Sequence, residues 1–122
     1  MKNNDSEFKE FFDGYVDAAM FTSRPDGPPA AQKFSNRALE IFEEDCRAFY
    51  DANIEALRTV ESDMRRNGID FWLTREGHGS GFWEHKYKSP HANLYDILDL
   101  AAKRCGECEV YIDDGVIEVY GR

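Results

Sequence analysis

The stretch that decides the fold runs from Gly68 to Glu84 and reads GIDFWLTREGHGSGFWE. Its apolar residues form two short runs, 71–74 and 81–83, which are separated by the glycine-rich segment 75–80. Short aromatic runs on either side of glycines are typical of two strands joined by a turn. The stretch is therefore predicted to form a β-hairpin, with glycine supplying the positive φ angles of the turn.

The first helix is predicted over residues 5–20, where apolar residues recur every three or four positions behind an N-cap at Asp5 or Ser6. Gly14 weakens this helix by about 1 kcal/mol relative to alanine, so packing against the rest of the protein must stabilise it. Residues 22–32 hold three of the four prolines. That segment is predicted to be an exposed loop.

A second, longer helix is predicted to begin at Ser35 or Asn36 and to end at Asn67-Gly68. If unbroken it would be about 45 Å long. This length exceeds the norm for globular proteins, so a kink or break is expected near residues 51–53.

The last third of the chain is predicted to hold a third helix and a second hairpin. The helix covers Ala92–Arg104 and stops at Gly106, and strands 107–112 and 116–120 flank a turn at 113–115. The predicted order is ααββαββ. This order corresponds to an α+β domain in which helices pack on a small antiparallel sheet of two hairpins.

Length and composition predict one folded domain over residues 1–122. The chain has 122 residues, of which 42% are hydrophobic and 14% aromatic, and disordered acidic chains are poor in aromatic residues. The first ten residues are polar, and no apolar run approaches the length of a membrane span. Three cysteines are too few for a disulfide scaffold. A cytoplasmic protein with reduced thiols is expected.

The charge is strongly negative and unevenly placed. The net charge is -9, and residues 40–64 alone hold eight acids and two bases. Such a balance disfavours direct contact with nucleic acid or an anionic membrane, because phosphates are repelled. A run of acids is usually a solvated helix face, but it can also replace phosphates in a basic channel of a partner protein. The candidate partner-binding residues are Glu40, Glu43, Glu44, Asp45, Asp51, Glu55, Asp113 and Asp114.

A second candidate surface lies on the predicted hairpin of residues 68–84 and just after it. Arginine and exposed aromatic side chains make good anchors in protein interfaces. This alternative patch consists of Arg75, His78, Trp83 and His85.

Catalytic and metal chemistry have weaker signals. Cys105 and Cys108 have the CxxC spacing of zinc and redox sites, but they close a predicted helix, where the dipole disfavours a thiolate. Zinc would need two further ligands, and no second pair has ligand spacing. The three histidines, which lie within residues 78–91, could serve in acid–base catalysis with Asp70 or Glu84. Further zinc ligands could come from Cys46, His78, His85 or His91.

The glycines of residues 77–81 do not open a helix, and no lysine follows at the phosphate-loop position, so a nucleotide site is not expected. We therefore expect no catalytic residues, no metal and no cofactor. The enzyme alternative is a zinc protein or small hydrolase that uses Cys105, Cys108 and a histidine.

The central block resembles a signature of small proteins from bacteriophages and related mobile elements, which reads GHDFWLTRxxHGxGFWD. The resemblance extends over residues 38–120, and Ile69 and Glu84 replace the histidine and aspartate of the pattern. On this basis residues 36–122 form the core related to that family, and residues 1–35 form an extension with its own helix and proline-rich loop.

The resemblance implies a phage accessory protein that acts inside the host cell. Small acidic phage proteins often bind and disable host machinery, including nucleases of restriction and CRISPR systems. The leading hypothesis is an inhibitor of a host nucleic-acid-handling defence complex that acts by protein binding and mimics DNA. A structural or assembly homodimer formed through the second helix is a further alternative.

Overall fold

The computed structural model describes residues 4–23, 33–77 and 79–120. Within these ranges the chain forms five α-helices and one three-stranded sheet, which confirms the α+β class. None of these helices is both long and apolar enough to cross a membrane. The helices are α1 (Asn4–Ser23), α2 (Asn36–Val60), α3 (Met64–Arg75), α4 (Phe82–His85) and α5 (Ala92–Arg104), and the strands are β1 (Lys33–Phe34), β2 (Val110–Asp113) and β3 (Val116–Val119).

The predicted features of the second helix are largely confirmed in α2. Ser35 is its N-cap, and the Oγ atom of Ser35 accepts a hydrogen bond from the Ala38 N–H at 3.0 Å. The expected kink lies at Asn53, whose φ of -124° and ψ of 15° are not helical. The predicted end was wrong, because α2 stops at Val60 and Asp63 caps a new helix with its side chain.

The hairpin predicted over residues 68–84 is also wrong. Residues up to Arg75 belong to α3, and a short connection leads to α4. The buried positions of α3 follow the helical period from Met64 through Asn67 to Phe71 and Thr74. Four of its buried residues, including Arg75, are polar or charged, so this buried face shows no hydrophobic pattern in the sequence.

Two glycines let α1 and α3 approach each other closely. A Cβ atom on Gly68 would lie 1.9 Å from the carbonyl oxygen of Phe11, and one on Gly14 would lie 2.0 Å from that of Arg65. Neither position has room for a side chain. Gly68, predicted to end a helix, is therefore inside one, at the point where two helix backbones meet.

The sheet has the order β1-β3-β2 and is mixed rather than purely antiparallel. The second hairpin is confirmed, since β2 runs antiparallel to β3 with Val110 opposite Val119. β1, which was not predicted, runs parallel to β3 with Phe34 opposite Ile117. The order ααββαββ is thus replaced by one strand between the first two helices, three further helices and the final hairpin.

The core is dominated by aromatic rings around α3. Phe71 stacks on Phe49 of α2 with ring centroids 4.0 Å apart, and Trp72 meets Tyr15 of α1 edge to face at 5.2 Å. The indole N–H of Trp72 donates to Thr22 Oγ1 at 2.8 Å. Thr22 thus belongs to α1 rather than to the predicted proline loop, and residues 24–32 of that loop lie outside the described residues. α3 is therefore the central helix of the core, and α4 packs against it.

Candidate functional site

Arg75 lies inside the protein, whereas the hairpin patch required it at the surface. Its side chain is 2% exposed and makes four hydrogen bonds. The guanidinium donates to Asp45 Oδ2 at 2.9 Å, Tyr15 Oη at 3.0 Å and the carbonyl oxygens of Gly106 at 2.9 Å and Cys105 at 3.2 Å. Arg75 therefore ties α3 to α1, α2 and the segment after α5.

The other members of the hairpin patch do not form one surface with Arg75. Trp83 is 40% exposed, and His85 is half-buried against Asp70. His78 lies outside the described residues. The prediction that Arg75 is an exposed anchor of this patch is therefore wrong.

An acidic stripe runs along α2. We use this name for Glu40, Glu43, Glu44, Asp51 and Glu55, which are all exposed. At 100° per residue these positions fall within a sector of about 120°, and they span about 22 Å along the helix. Within the described part of the chain none of them forms an ion pair.

Three other candidates for the acidic surface differ from the stripe. Asp45 faces the interior and is engaged by Arg75, so it was wrongly grouped with the exposed acids. Asp113 and Asp114 are exposed, but they lie on the β2–β3 hairpin and not on α2. The acidic surface thus consists of residues 40–44 and 51–55 of α2, with Arg47 between these two groups, and of a separate hairpin tip.

The cysteines do not assemble a metal site in the described ranges. Cys46 and Cys108 are buried and Cys105 is exposed, and none of these three described residues is in a disulfide. Burial raises the pKa of both the Cys46 and the Cys105 thiol, which disfavours the thiolate that zinc requires. Among the residues described, the one cluster of three metal-ligating side chains contains no cysteine.

That cluster consists of Asp70, Glu84 and His85, which we call the carboxylate–histidine cluster. One ligand atom from each lies within 4.8 Å of the others. Asp70 comes from the buried side of α3, and the other two come from α4. His85 Nε2 lies 3.0 Å from Asp70 Oδ2. The sequence suggested that either carboxylate could assist a histidine, and the structure brings both to His85.

A glycine positions α4 against α3. Gly81 has a φ of 130°, and a Cβ atom there would lie 2.2 Å from Thr74 Oγ1. The same Thr74 oxygen accepts the Phe82 N–H at 3.0 Å, and Glu84 Oε1 accepts the Gly81 N–H at 3.3 Å. Gly81 therefore serves a close approach between two helices rather than the predicted hairpin turn.

Burial affects the charge of Asp70. Desolvation raises the pKa of Asp70 to about 6, against the opposing effect of positive charge on His85 and Arg66. An open cleft of about 580 Å³ adjoins the cluster, and Glu84 and His85 form part of its wall. The remaining lining includes Arg66, Lys88, His91 and Tyr95.

Comparison with protein-family models, curated proteins and solved structures finds no match to this chain.

Proposed function

We propose that this protein acts by binding a basic, nucleic-acid-handling surface of another protein through the acidic stripe on α2. The observation that carries the proposal is a row of five exposed carboxylates without a cationic partner in the described residues. Carboxylates that are not paired within the fold produce a negative potential that attracts a cationic partner surface.

The charges of the stripe are spaced on the scale of nucleic-acid phosphates. Five carboxylates over about 22 Å of helix are about 5.6 Å apart on average. One strand of duplex DNA carries a phosphate about every 3.4 Å along its axis. A channel of lysine and arginine that binds one strand can therefore pair with several carboxylates of the stripe, at a wider spacing than in DNA.

The stripe is held by a rigid support. The opposite side of α2 is buried in the core through Phe42, Cys46 and Phe49. Arg47, on the acidic side, is held with its guanidinium 3.6 Å from the centre of the Phe8 ring. The carboxylates therefore lose little conformational freedom of the backbone when a partner binds.

The partner class follows from this chemistry and from the resemblance to phage proteins. A defence nuclease of the restriction or CRISPR type holds DNA in a basic channel, and an acidic protein in that channel would prevent DNA from entering. We therefore propose an inhibitor of such a host complex that works in the host cell, without catalysis.

The test is a transformation assay in bacteria that carry an active restriction or CRISPR system against the incoming plasmid. Expression of the wild-type protein should raise transformation at least about tenfold. The variant E40K/E43K/E44K should lose this protection, because three lost contacts weaken binding about 100-fold or more at physiological salt.

The matched control is D5K/E107K/E109K, which makes the same change in net charge, from -9 to -3, at exposed sites away from the stripe. This control should protect like the wild type. Protection that survives reversal of the stripe would overturn the mimicry, and absence of protection by the wild type in both systems would overturn the inhibitor function.

A further inference from the structure

We infer that the carboxylate–histidine cluster of Asp70, Glu84 and His85 binds a divalent first-row transition-metal ion such as Zn²⁺ or Mn²⁺. The inference is independent of the acidic stripe, because the cluster lies on α3 and α4 and the stripe lies on α2. It concerns a binding site and does not require the protein to be an enzyme.

The distances suit a small cation. Zinc binds imidazole nitrogen and carboxylate oxygen at about 2.0–2.2 Å in a tetrahedral arrangement, so two of its ligands lie about 3.4 Å apart. His85 Nε2 and Asp70 Oδ2 are 3.0 Å apart, so a separation of a few tenths of an ångström admits the ion. The third ligand comes from Glu84, which is exposed and has a carboxylate oxygen within 4.8 Å of the ligand atoms of Asp70 and His85.

A second observation concerns the contact between Asp70 and His85. The Asp70 side chain is 5% exposed and lies within ion-pair distance of His85, but the buried His85 Nε2 atom makes no hydrogen bond to the described residues. A metal ion bound to both atoms would accept the lone pair of the nitrogen and balance the charge of the buried carboxylate.

The donor set selects the class of ion. Calcium and magnesium prefer sites made entirely of oxygen, whereas imidazole suits zinc and other first-row transition metals. Three protein ligands leave one or more coordination positions open, as in zinc sites that bind water or a ligand. Glu84 and His85 line the adjoining cleft together with Arg66 and Lys88, whose positive charges would favour an anionic oxygen as the additional ligand.

The ion can bind without rebuilding the protein. Thr74 and Gly81 fix the start of α4 on α3, so Asp70 and His85 are held in place before any ion arrives. Preorganised ligands of this kind reduce the ordering cost of binding.

The experiment is calorimetric titration of the chelator-treated full chain with ZnCl₂ and, separately, with MnCl₂. Titrations use a C105S background, so that the exposed Cys105 thiol cannot contribute to the binding signal. We expect one equivalent of metal per chain. H85Q and E84Q should each weaken binding at least about tenfold, and circular dichroism spectra should show that both variants remain folded.

The matched control is H91Q, which changes another histidine of the same cleft that is outside the cluster. Its affinity for the metal should equal that of the parent chain. The inference is overturned if no metal binds up to about 1 mM, or if H85Q and E84Q bind like the parent. Equal loss in H91Q would also overturn it, because the ligands would then be different.

Discussion

Replacement of Arg75 by methionine should destabilise the protein strongly. Methionine fills the volume of the arginine stem but supplies none of the four hydrogen bonds that the guanidinium makes. It also removes the ion pair between Arg75 and Asp45, whose side chain is 14% exposed. Breaking a buried ion pair by removing one partner costs about 3–5 kcal/mol.

The loss can be measured as a change in the free energy of unfolding. Urea unfolding followed by far-ultraviolet circular dichroism gives this free energy directly. For a chain of 122 residues, the unfolding entropy is about 0.26 kcal/mol per degree, so a loss of 4 kcal/mol lowers Tm by about 15 °C. Most domains of this size have only 5–15 kcal/mol of stability to lose.

Two comparisons make the Arg75 experiment decisive. Arg37 is exposed, so R37M should change the free energy of unfolding by less than about 0.5 kcal/mol. The double variant R75M/D45N should be less destabilised than the sum of its single variants, because the two side chains interact directly. A loss below about 1 kcal/mol in R75M would refute the structural role and return Arg75 to consideration as a binding residue.

Two further predictions concern packing and thiol chemistry. G68A should lower the free energy of unfolding by about 3 kcal/mol or more in a urea titration, because the new Cβ atom would overlap the Phe11 carbonyl. The control N93A, on the exposed side of α5, should be nearly neutral. Equal stability of the two variants would contradict the close approach of α1 and α3. Iodoacetamide at pH 8 should alkylate Cys105 in the folded protein and leave the buried Cys46 unmodified until urea is added. Peptide mass spectrometry detects which cysteine is labelled. Rapid labelling of Cys46 in the folded protein would contradict its burial.

Elements with a strong periodic pattern were predictable from the sequence. The apolar spacing defined α1, α2 and α5, and alternation around Gly115 defined the final hairpin. Even the kink of α2 followed from its excessive length. In each case the residues that determine the element are local, so no knowledge of neighbouring elements was needed.

The central helix α3 was not predictable in this way. Its buried side includes Asn67, Thr74 and Arg75, which hydrogen-bond to other elements of the fold. Local hydropathy instead indicated a strand at residues 71–74. The sequence does contain a glycine in each of the two helices, Gly14 in α1 and Gly68 in α3. These glycines indicate a close helix contact only when the two helices are considered together.

The carboxylate–histidine cluster was half predictable for the same reason. Asp70 and Glu84 were possible partners for a histidine in the sequence, but the choice of His85 depends on how α4 packs on α3. With a hairpin in place of these helices, the three side chains would be distributed over two strands and a link.

The pairing of β1 with β3 joins residues that are far apart in sequence. Phe34 lies opposite Ile117, and Ser35 N–H donates to the Ile117 carbonyl oxygen at 3.0 Å. Because β3 is the middle strand, neither outer strand has a partner until β3 is in place. During synthesis on the ribosome, β1 must therefore wait for nearly all of the chain described here to emerge, and closure of this sheet is expected to be a late step of folding.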